Sequence, residues 1–156
     1  MKRLFLVLIL LTSVAAIGGV VRMAPNFGLE GTGQRATLRA FAGNPVVLIV
    51  ARSARENKVK SQLKRLQELY PEFASKKVLF VAAFQDPTES IHTDIPFVLA
   101  KDGVKVAADY GVTEPFQIMV IGKDGNIDLQ TAKVCPASRV RDVLINSYVV
   151  QSASRK

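Results

Sequence analysis

The chain has few of the residues that most often carry chemistry, with one cysteine and one histidine among its 156 residues. Because Cys135 has no partner in the sequence, an intrachain disulfide is excluded. His92 lies in the stretch SIHTD without other residues at metal-ligand spacing, so we predict a solvated loop histidine and no metal site. Ser90 and Asp94 flank it, but a catalytic triad requires convergent geometry and not adjacency in one loop.

The sequence also lacks internal repeats, low-complexity tracts and blocks of like charge. Apolar residues make up 49% and charged residues 22%, which is typical of a globular chain, and the length suits one domain plus a targeting segment. The formal net charge is +8, and removal of Lys2 and Arg3 lowers it to +6. Since the basic residues are scattered and no aromatic-rich motif accompanies them, we predict no nucleic-acid partner.

The N-terminus is the clearest local signal. MKRLFLVLILLTSVAAIGG has a short positive start, an apolar run and then small residues, which predicts a signal peptide over residues 1–18. Counted on to Val21, the uncharged run is just long enough to be an uncleaved membrane anchor instead. In both cases we expect an exported domain, periplasmic or extracellular, with membrane contact only through this segment if it is retained.

A strand and an amphipathic helix follow the leader region. The β-branched run PVVLIVA, residues 45–51, predicts a strand buried on both faces. Ser53 and Glu56 have the S-x-x-E spacing of a capping box, which predicts the helix start. Apolar residues then recur at helical spacing until Pro71 ends the pattern. They are Val59, Leu63, Leu66 and Tyr70.

The remaining pattern completes an α/β domain. Asp124-Gly125 predicts the tip of a hairpin between two late strands, and Pro136 can occupy the first position of a last helix. A parallel βαβ start combined with an antiparallel hairpin predicts a mixed central sheet with helices on both faces. We place this domain at residues 24–150 and a flexible tail at residues 151–156.

Two stretches of sequence resemble the thioredoxin-like superfamily, in particular peroxiredoxins and thiol-disulfide oxidoreductases. They are APNFGLEGTGQRATLRAFAGNPVVLIV and YGVTEPFQIMVIGKDGNI. The resemblance implies a thioredoxin-like fold and makes Pro115 the candidate cis-proline that shapes the groove beside the active site. The stretch IGKDGNI and the absence of active-site cysteines also resemble a poorly characterised peroxiredoxin-like family, which is found in sushi-repeat matrix proteins as well.

The main departure from that resemblance lies at the start of the first long helix. On the oxidoreductase pattern, Arg55 and Lys58 occupy the two cysteine positions, and no cysteine precedes Cys135. Thiol-disulfide exchange requires a thiolate, which neither arginine nor lysine can provide. We therefore predict a redox-inactive binding or structural module that retains a relic active-site groove and needs no cofactor.

The candidate binding residues of this groove are Arg52, Ser53, Arg55 and Lys58, facing Pro115. The amides of a first helical turn carry partial positive charge, and nearby cations strengthen the attraction for an anion. A small anion, a protein or a peptide is the expected partner. The competing interpretation is that these side chains extend into water.

Cys135 supports a second hypothesis, a one-cysteine antioxidant or thiol-dependent oxidoreductase. It precedes Pro136 at the predicted start of the last helix, where the helix dipole could stabilise its thiolate. No second cysteine is available to resolve a mixed disulfide, so an external reductant would be needed. The competing interpretation is a small, partly buried apolar residue, and the sequence leaves open whether the protein is an enzyme.

Overall fold

The computed structural model describes residues 22–153, with side chains as far as Asn146. The predicted signal peptide, residues 1–18, therefore lies outside the described residues, as do residues 154–156 of the predicted tail. Among the described residues, none of the helices has both the length and the apolar character needed to cross a bilayer.

A five-stranded mixed sheet forms the centre of the domain. Its strands are β1 (Val46–Ala51), β2 (Leu79–Phe84), β3 (Phe97–Leu99), β4 (Phe116–Ile121) and β5 (Ile127–Thr131). The order across the sheet is β3-β2-β1-β4-β5. β1, β2 and β3 pair in parallel, whereas β4 pairs antiparallel with both β1 and β5. The predicted mixed sheet is confirmed.

Helices cover both faces of this sheet. They are α1 (Asn57–Glu68), α2 (Tyr70–Ser75), α3 (Gly103–Asp109) and α4 (Ala137–Ala153). Val47 and Ile49 of β1 belong to the core that α1, α2 and α4 cover, whereas Leu48 and Val50 belong to the core under α3. All six residues of β1 are buried, as its continuous apolar run predicts for a central strand.

The beginning of α1 differs from the prediction. The helix starts at Asn57, and its N-cap residue Glu56 makes no side-chain capping bond. Ser53 Oγ instead accepts a hydrogen bond from the Arg55 amide two residues later, at 3.0 Å. The predicted capping box is therefore wrong, because the serine hydroxyl satisfies a turn amide before the helix begins.

Two further predictions, the helix end at Pro71 and the flexible tail at residues 151–156, differ in part from the structure. α1 does end shortly before Pro71, at Glu68. Pro71 does not stop helical structure but lies in the first turn of α2, where a missing amide hydrogen costs nothing. α4 continues to Ala153, so residues 151–153 of the predicted flexible tail are helical.

α3 lies unusually close to the sheet. A Cβ atom at Gly103, the first residue of α3, would be 1.8 Å from the carbonyl oxygen of Phe84. Only a residue without a side chain fits this approach between a helix and a strand. Asp102 caps the helix by accepting a hydrogen bond from the Lys105 amide. Gly103 thus fixes α3 at the carboxyl end of β2, next to the candidate site.

Candidate binding site

The backbone of Arg52 lies where β1 and β2 end and β4 begins. The Arg52 amide donates to the Pro115 carbonyl at 3.0 Å, and the Arg52 carbonyl accepts from the Asp86 amide at 3.0 Å. These bonds extend the pairing of β1 with β4 and β2 by one residue. The predicted juxtaposition of Arg52 and Pro115 therefore follows from the register of the sheet, in which Ala51 pairs with Phe116.

Arg55 interacts with the loop that follows β2. Its Nε lies 3.5 Å from Glu89 Oε1, and the Glu89 side chain is 9% exposed whereas that of Arg55 is 86% exposed. Thr88 donates backbone and side-chain hydrogen bonds to Asp86, and these bonds, with a smaller contribution from Arg55, lower the pKa of the Asp86 carboxyl. The Arg55 guanidinium therefore already has two carboxylates nearby.

Lys58 also has an acceptor within the protein. Its Nζ donates to the Ala132 carbonyl at 2.9 Å, which attaches the first turn of α1 to the segment before α4. The side chain of Arg52 is exposed, and within residues 22–153 no hydrogen bond or ion pair is found for it. All three predicted cations are exposed; Arg55 and Lys58 have side-chain partners within the protein, whereas the Arg52 side chain has none among the described residues.

The structure does not contain the predicted cis-proline. The peptide bond preceding Pro115 is trans, as are the other peptide bonds of the described chain. Trans is the intrinsically preferred form even before proline. Pro115 is half-buried and follows two exposed residues, Thr113 and Glu114. The surface beside Arg52 is therefore formed by an exposed polar segment and the Pro115 ring. We keep the name Arg52 groove for this surface, which comprises Arg52, Ser53, Arg55, Lys58 and Pro115, the residues of the predicted relic groove.

Cys135 is buried in the core beside α1. Its residue is 5% exposed and belongs to the core between the sheet, α1 and α4. Burial raises the pKa of the Cys135 thiol, and the positive charge of Arg139 offsets part of that increase. A neutral, enclosed thiol is a poor nucleophile, so the geometry gives Cys135 the character of a core residue.

Gln62 is the functional side chain of this region that the sequence analysis missed. It is fully buried, and its amide forms two hydrogen bonds with the backbone of Cys135. Gln62 Nε2 donates to the Cys135 carbonyl at 2.9 Å, and Gln62 Oε1 accepts from the Cys135 amide at 2.7 Å. The sequence signal for a buried polar contact at Gln62 is its position on the apolar stripe of α1, between Val59 and Leu66.

Gln62 also locates the thiol relative to the groove. It lies five residues after Asn57, roughly 7 Å along the axis of α1 from the helix start. Cys135 is held there and not beside Arg55. The lone cysteine is therefore held in the core about one helical turn beyond Lys58, and it occupies neither of the two positions that resemble cysteine sites.

His92 lies in an exposed loop beside α1. Its Nε2 is 3.3 Å from Ser90 Oγ, and no ion pair joins it to Asp94 in the part of the chain that the structure describes. Within residues 22–153 no three His, Cys, Asp or Glu side chains are placed to hold a metal ion. The Ser90–His92 contact is one hydrogen bond of a surface loop.

The fold is similar to that of solved thioredoxin-like proteins. A protein of Chlorobium tepidum assigned as the thiol:disulfide interchange protein DsbE superposes with a TM-score of 0.64 at 16% identity, covering 81% of this chain and 96% of that one. Thioredoxin peroxidase I of Plasmodium yoelii gives 0.61 at 16% identity, covering 86% and 92%. The thioredoxin domain of a thiol-disulfide oxidoreductase from Bacteroides vulgatus gives 0.59 at 21%, covering 81% and 92%.

These similarities define a thioredoxin-like protein, as the sequence resemblance implied. The sequence model of the AhpC/TSA family matches residues 20–130, which is most of the chain. The chain therefore belongs to the AhpC/TSA family. No curated protein sequence matches it.

Proposed function

We propose that this AhpC/TSA family member is an exported binding module without thiol redox activity, which binds its partner at the Arg52 groove. The observation that carries the proposal is the enclosure of the only thiol in the core. The chain has one cysteine, and Gln62 holds it in the core, whereas Arg55 and Lys58 occupy the groove. Thiol-disulfide exchange needs an accessible thiolate. Neither the buried Cys135 nor the cations Arg55 and Lys58 supply one.

The charges of the groove favour a protein or peptide over a small anion. A phosphate or sulfate would have to compete with Glu89 for Arg55 and with the Ala132 carbonyl for Lys58. A polypeptide can instead contact the exposed Arg52 side chain together with the neutral and acidic groups around it. Interfaces of this kind combine several polar contacts with arginine at the centre.

The first experiment tests the absence of redox activity. The purified chain and its Cys135→Ser variant are assayed for insulin disulfide reduction with dithiothreitol and for peroxide consumption with an external thiol. We expect both proteins to match the rate without protein. Turnover in the wild type that is lost in Cys135→Ser would support the alternative, a one-cysteine antioxidant or oxidoreductase working through Cys135.

The second experiment distinguishes the two kinds of ligand. Inorganic phosphate is titrated into the chain while the amide NMR signals of residues 52–58 are followed, and a displayed library of random peptides is selected in parallel. We expect no saturable phosphate shift, and selected peptides whose binding weakens in Arg52→Ala but not in Arg65→Ala, an exposed arginine farther along α1. Saturable phosphate shifts without selected peptides would instead indicate a small-anion site.

A further inference from the structure

The end of the sheet opposite the Arg52 groove has its own cavity. β1 begins and β4 ends there, since Val46 pairs with Ile121. The cavity measures about 210 Å³. Its lining is mainly apolar and includes Met23, Leu38 and Phe41, together with the β4–β5 hairpin.

Basic residues surround this cavity. Arg39 and Lys123 line it, the Arg35 guanidinium lies 5.6 Å from the centroid of the Phe41 ring, and Arg22 precedes Met23. We call Arg22, Met23, Arg35, Arg39 and Lys123 the basic end surface. Its charge is predominantly positive.

Two carboxylates near the basic end surface, those of Asp124 and Asp109, are already engaged. Asp124 accepts hydrogen bonds from the backbone and side-chain amides of Asn126. The Asp109 carboxylate pairs with Lys105 on α3, while Arg22 donates to the Asp109 carbonyl at 3.0 Å. The basic end surface thus carries four basic side chains, while these two carboxylates have partners of their own.

The backbone enters the described domain at the same surface. The Ile127 amide donates to the Arg22 carbonyl at 2.8 Å, and the Ala24 amide donates to the Gly125 carbonyl at 2.8 Å. Arg22 is therefore fixed against the hairpin. Residues 4–21, which precede it, include no charged residue, and Met23 is 67% exposed next to it. An uncharged stretch of this length is just sufficient to cross a bilayer.

We propose that the basic end surface docks on an anionic lipid bilayer in which the N-terminal segment is retained. Lysine and arginine side chains near such a bilayer are attracted by its negative surface potential. Met23 contributes an apolar contact at the interface. In this orientation, the Arg52 groove lies at the far end of β1 and faces away from the membrane, accessible to a partner.

Site-specific quenching tests the orientation with the full chain in vesicles. In a Cys135→Ser background, a fluorophore is attached through Ala42→Cys, exposed beside the cavity, or through Thr113→Cys, exposed beside Pro115. Phosphatidylcholine vesicles with and without phosphatidylglycerol carry a nitroxide on some headgroups. We expect strong quenching of the label at residue 42, dependent on phosphatidylglycerol, and little quenching of the label at residue 113.

Charge variants provide the matched control. Arg39→Gln is expected to lower the ratio of docked to undocked protein about fivefold, since one basic side chain near an anionic membrane contributes about that factor. Arg52→Gln, an arginine at the other end, is expected to leave quenching at residue 42 unchanged. Equal quenching at both labels, quenching that ignores phosphatidylglycerol, or equal effects of the two variants would overturn the proposal. None of these results depends on what the groove binds.

Discussion

At the scale of single residues, the contact between Gln62 and Cys135 explains why the lone thiol is a core residue. The glutamine amide satisfies both backbone groups of Cys135, and the thiol is packed behind it. A buried polar group is stable only when its hydrogen bonds are satisfied. Cys135 is thus fixed by its backbone, and its sulfur plays no part in that attachment.

Gln62→Met should lower the free energy of unfolding by about 2–4 kcal/mol. The variant keeps the side-chain volume but leaves the buried amide and carbonyl of Cys135 without partners, and each costs about 1–3 kcal/mol. Urea denaturation measures the change. Gln67→Met, at an exposed position of the same helix, should stay within about 0.5 kcal/mol of the wild type. Equal effects at the two positions would contradict this account of Gln62.

Tyr110 is another buried residue whose polar group is satisfied inside the domain. It is fully buried, and its hydroxyl donates to the Pro25 carbonyl at 2.8 Å. Burial raises the pKa of Tyr110 well above its ordinary value of 10.0. The folded protein therefore keeps this proton, whereas the unfolded chain releases it at pH values above about 10. The free energy of unfolding should consequently fall as the pH rises through that value.

Tyr110→Phe separates the hydrogen bond from the titration. Near neutral pH the variant should be less stable by about 1–2 kcal/mol, because the Pro25 carbonyl loses its donor. Above about pH 10 the difference should shrink or reverse, since phenylalanine has no proton to lose. Urea denaturation across that range measures it, with Tyr70→Phe at a half-buried tyrosine as the control. A difference independent of pH would rule out this role for Tyr110.

At the scale of elements, the close approach of α3 to β2 depends on one glycine. Gly103→Ala would place a Cβ 1.8 Å from the Phe84 carbonyl oxygen, and backbone atoms cannot move aside as a flexible side chain can. We expect a loss of more than about 3 kcal/mol in the free energy of unfolding.

Thermal denaturation and circular dichroism check the effect of Gly103→Ala. Val104→Ala, which changes the adjacent residue with 60% exposure, is the matched control and should be nearly neutral. A fully stable Gly103→Ala variant would mean that α3 does not lie against β2 as described.

The start of α1 shows a different element-scale effect. Cations near a helix N-terminus are unfavourable by a few tenths of a kcal/mol, yet Arg55 and Lys58 both lie there. Glu89 offsets part of that cost through its ion pair with Arg55, and the Ala132 carbonyl does so by accepting a hydrogen bond from Lys58. The same two contacts attach α1 to the loop after β2 and to the segment before α4.

At the scale of the whole molecule, access to Cys135 should depend on unfolding. The thiol is covered by α1 and α4, so an alkylating reagent reaches it only after the core opens. We expect iodoacetamide to modify the native protein at least about 1,000-fold more slowly than the urea-unfolded protein, in line with the stability of an ordinary domain. Mass spectrometry follows the reaction.

Gln62→Met provides the internal check on that labelling. By destabilising the core around Cys135, it should increase the native labelling rate, whereas Gln67→Met should not. A native rate close to the unfolded rate would mean that Cys135 is accessible, and would revive the one-cysteine alternative.

The two ends of the central sheet carry surfaces of different charge. One end has the Arg52 groove with its mixed charges, and the other has the basic end surface where the chain enters. The two proposals concern different ends and different residues. A variant at one end should therefore leave the property of the other unchanged, as distant and independent sites generally do.

Much of the fold was determined by the sequence alone. The apolar run of β1, the Asp124-Gly125 hairpin and the amphipathic stripe of α1 depend on neighbours along the chain, so local patterns predicted them. Local rules were less reliable at helix ends, where Ser53 bonded a turn amide and Pro71 joined a new helix instead of ending one.

The tertiary structure decided what each candidate site residue contacts. Arg55 pairs with Glu89, Lys58 bonds Ala132, and Cys135 bonds Gln62. Local sequence does not predict these pairs, because sheet register and helix packing bring the partners together from distant parts of the chain. The sequence established that the groove has no thiol, since that depends on composition. Whether its cations are available and whether the thiol is enclosed depends on long-range contacts, which form only when the chain folds.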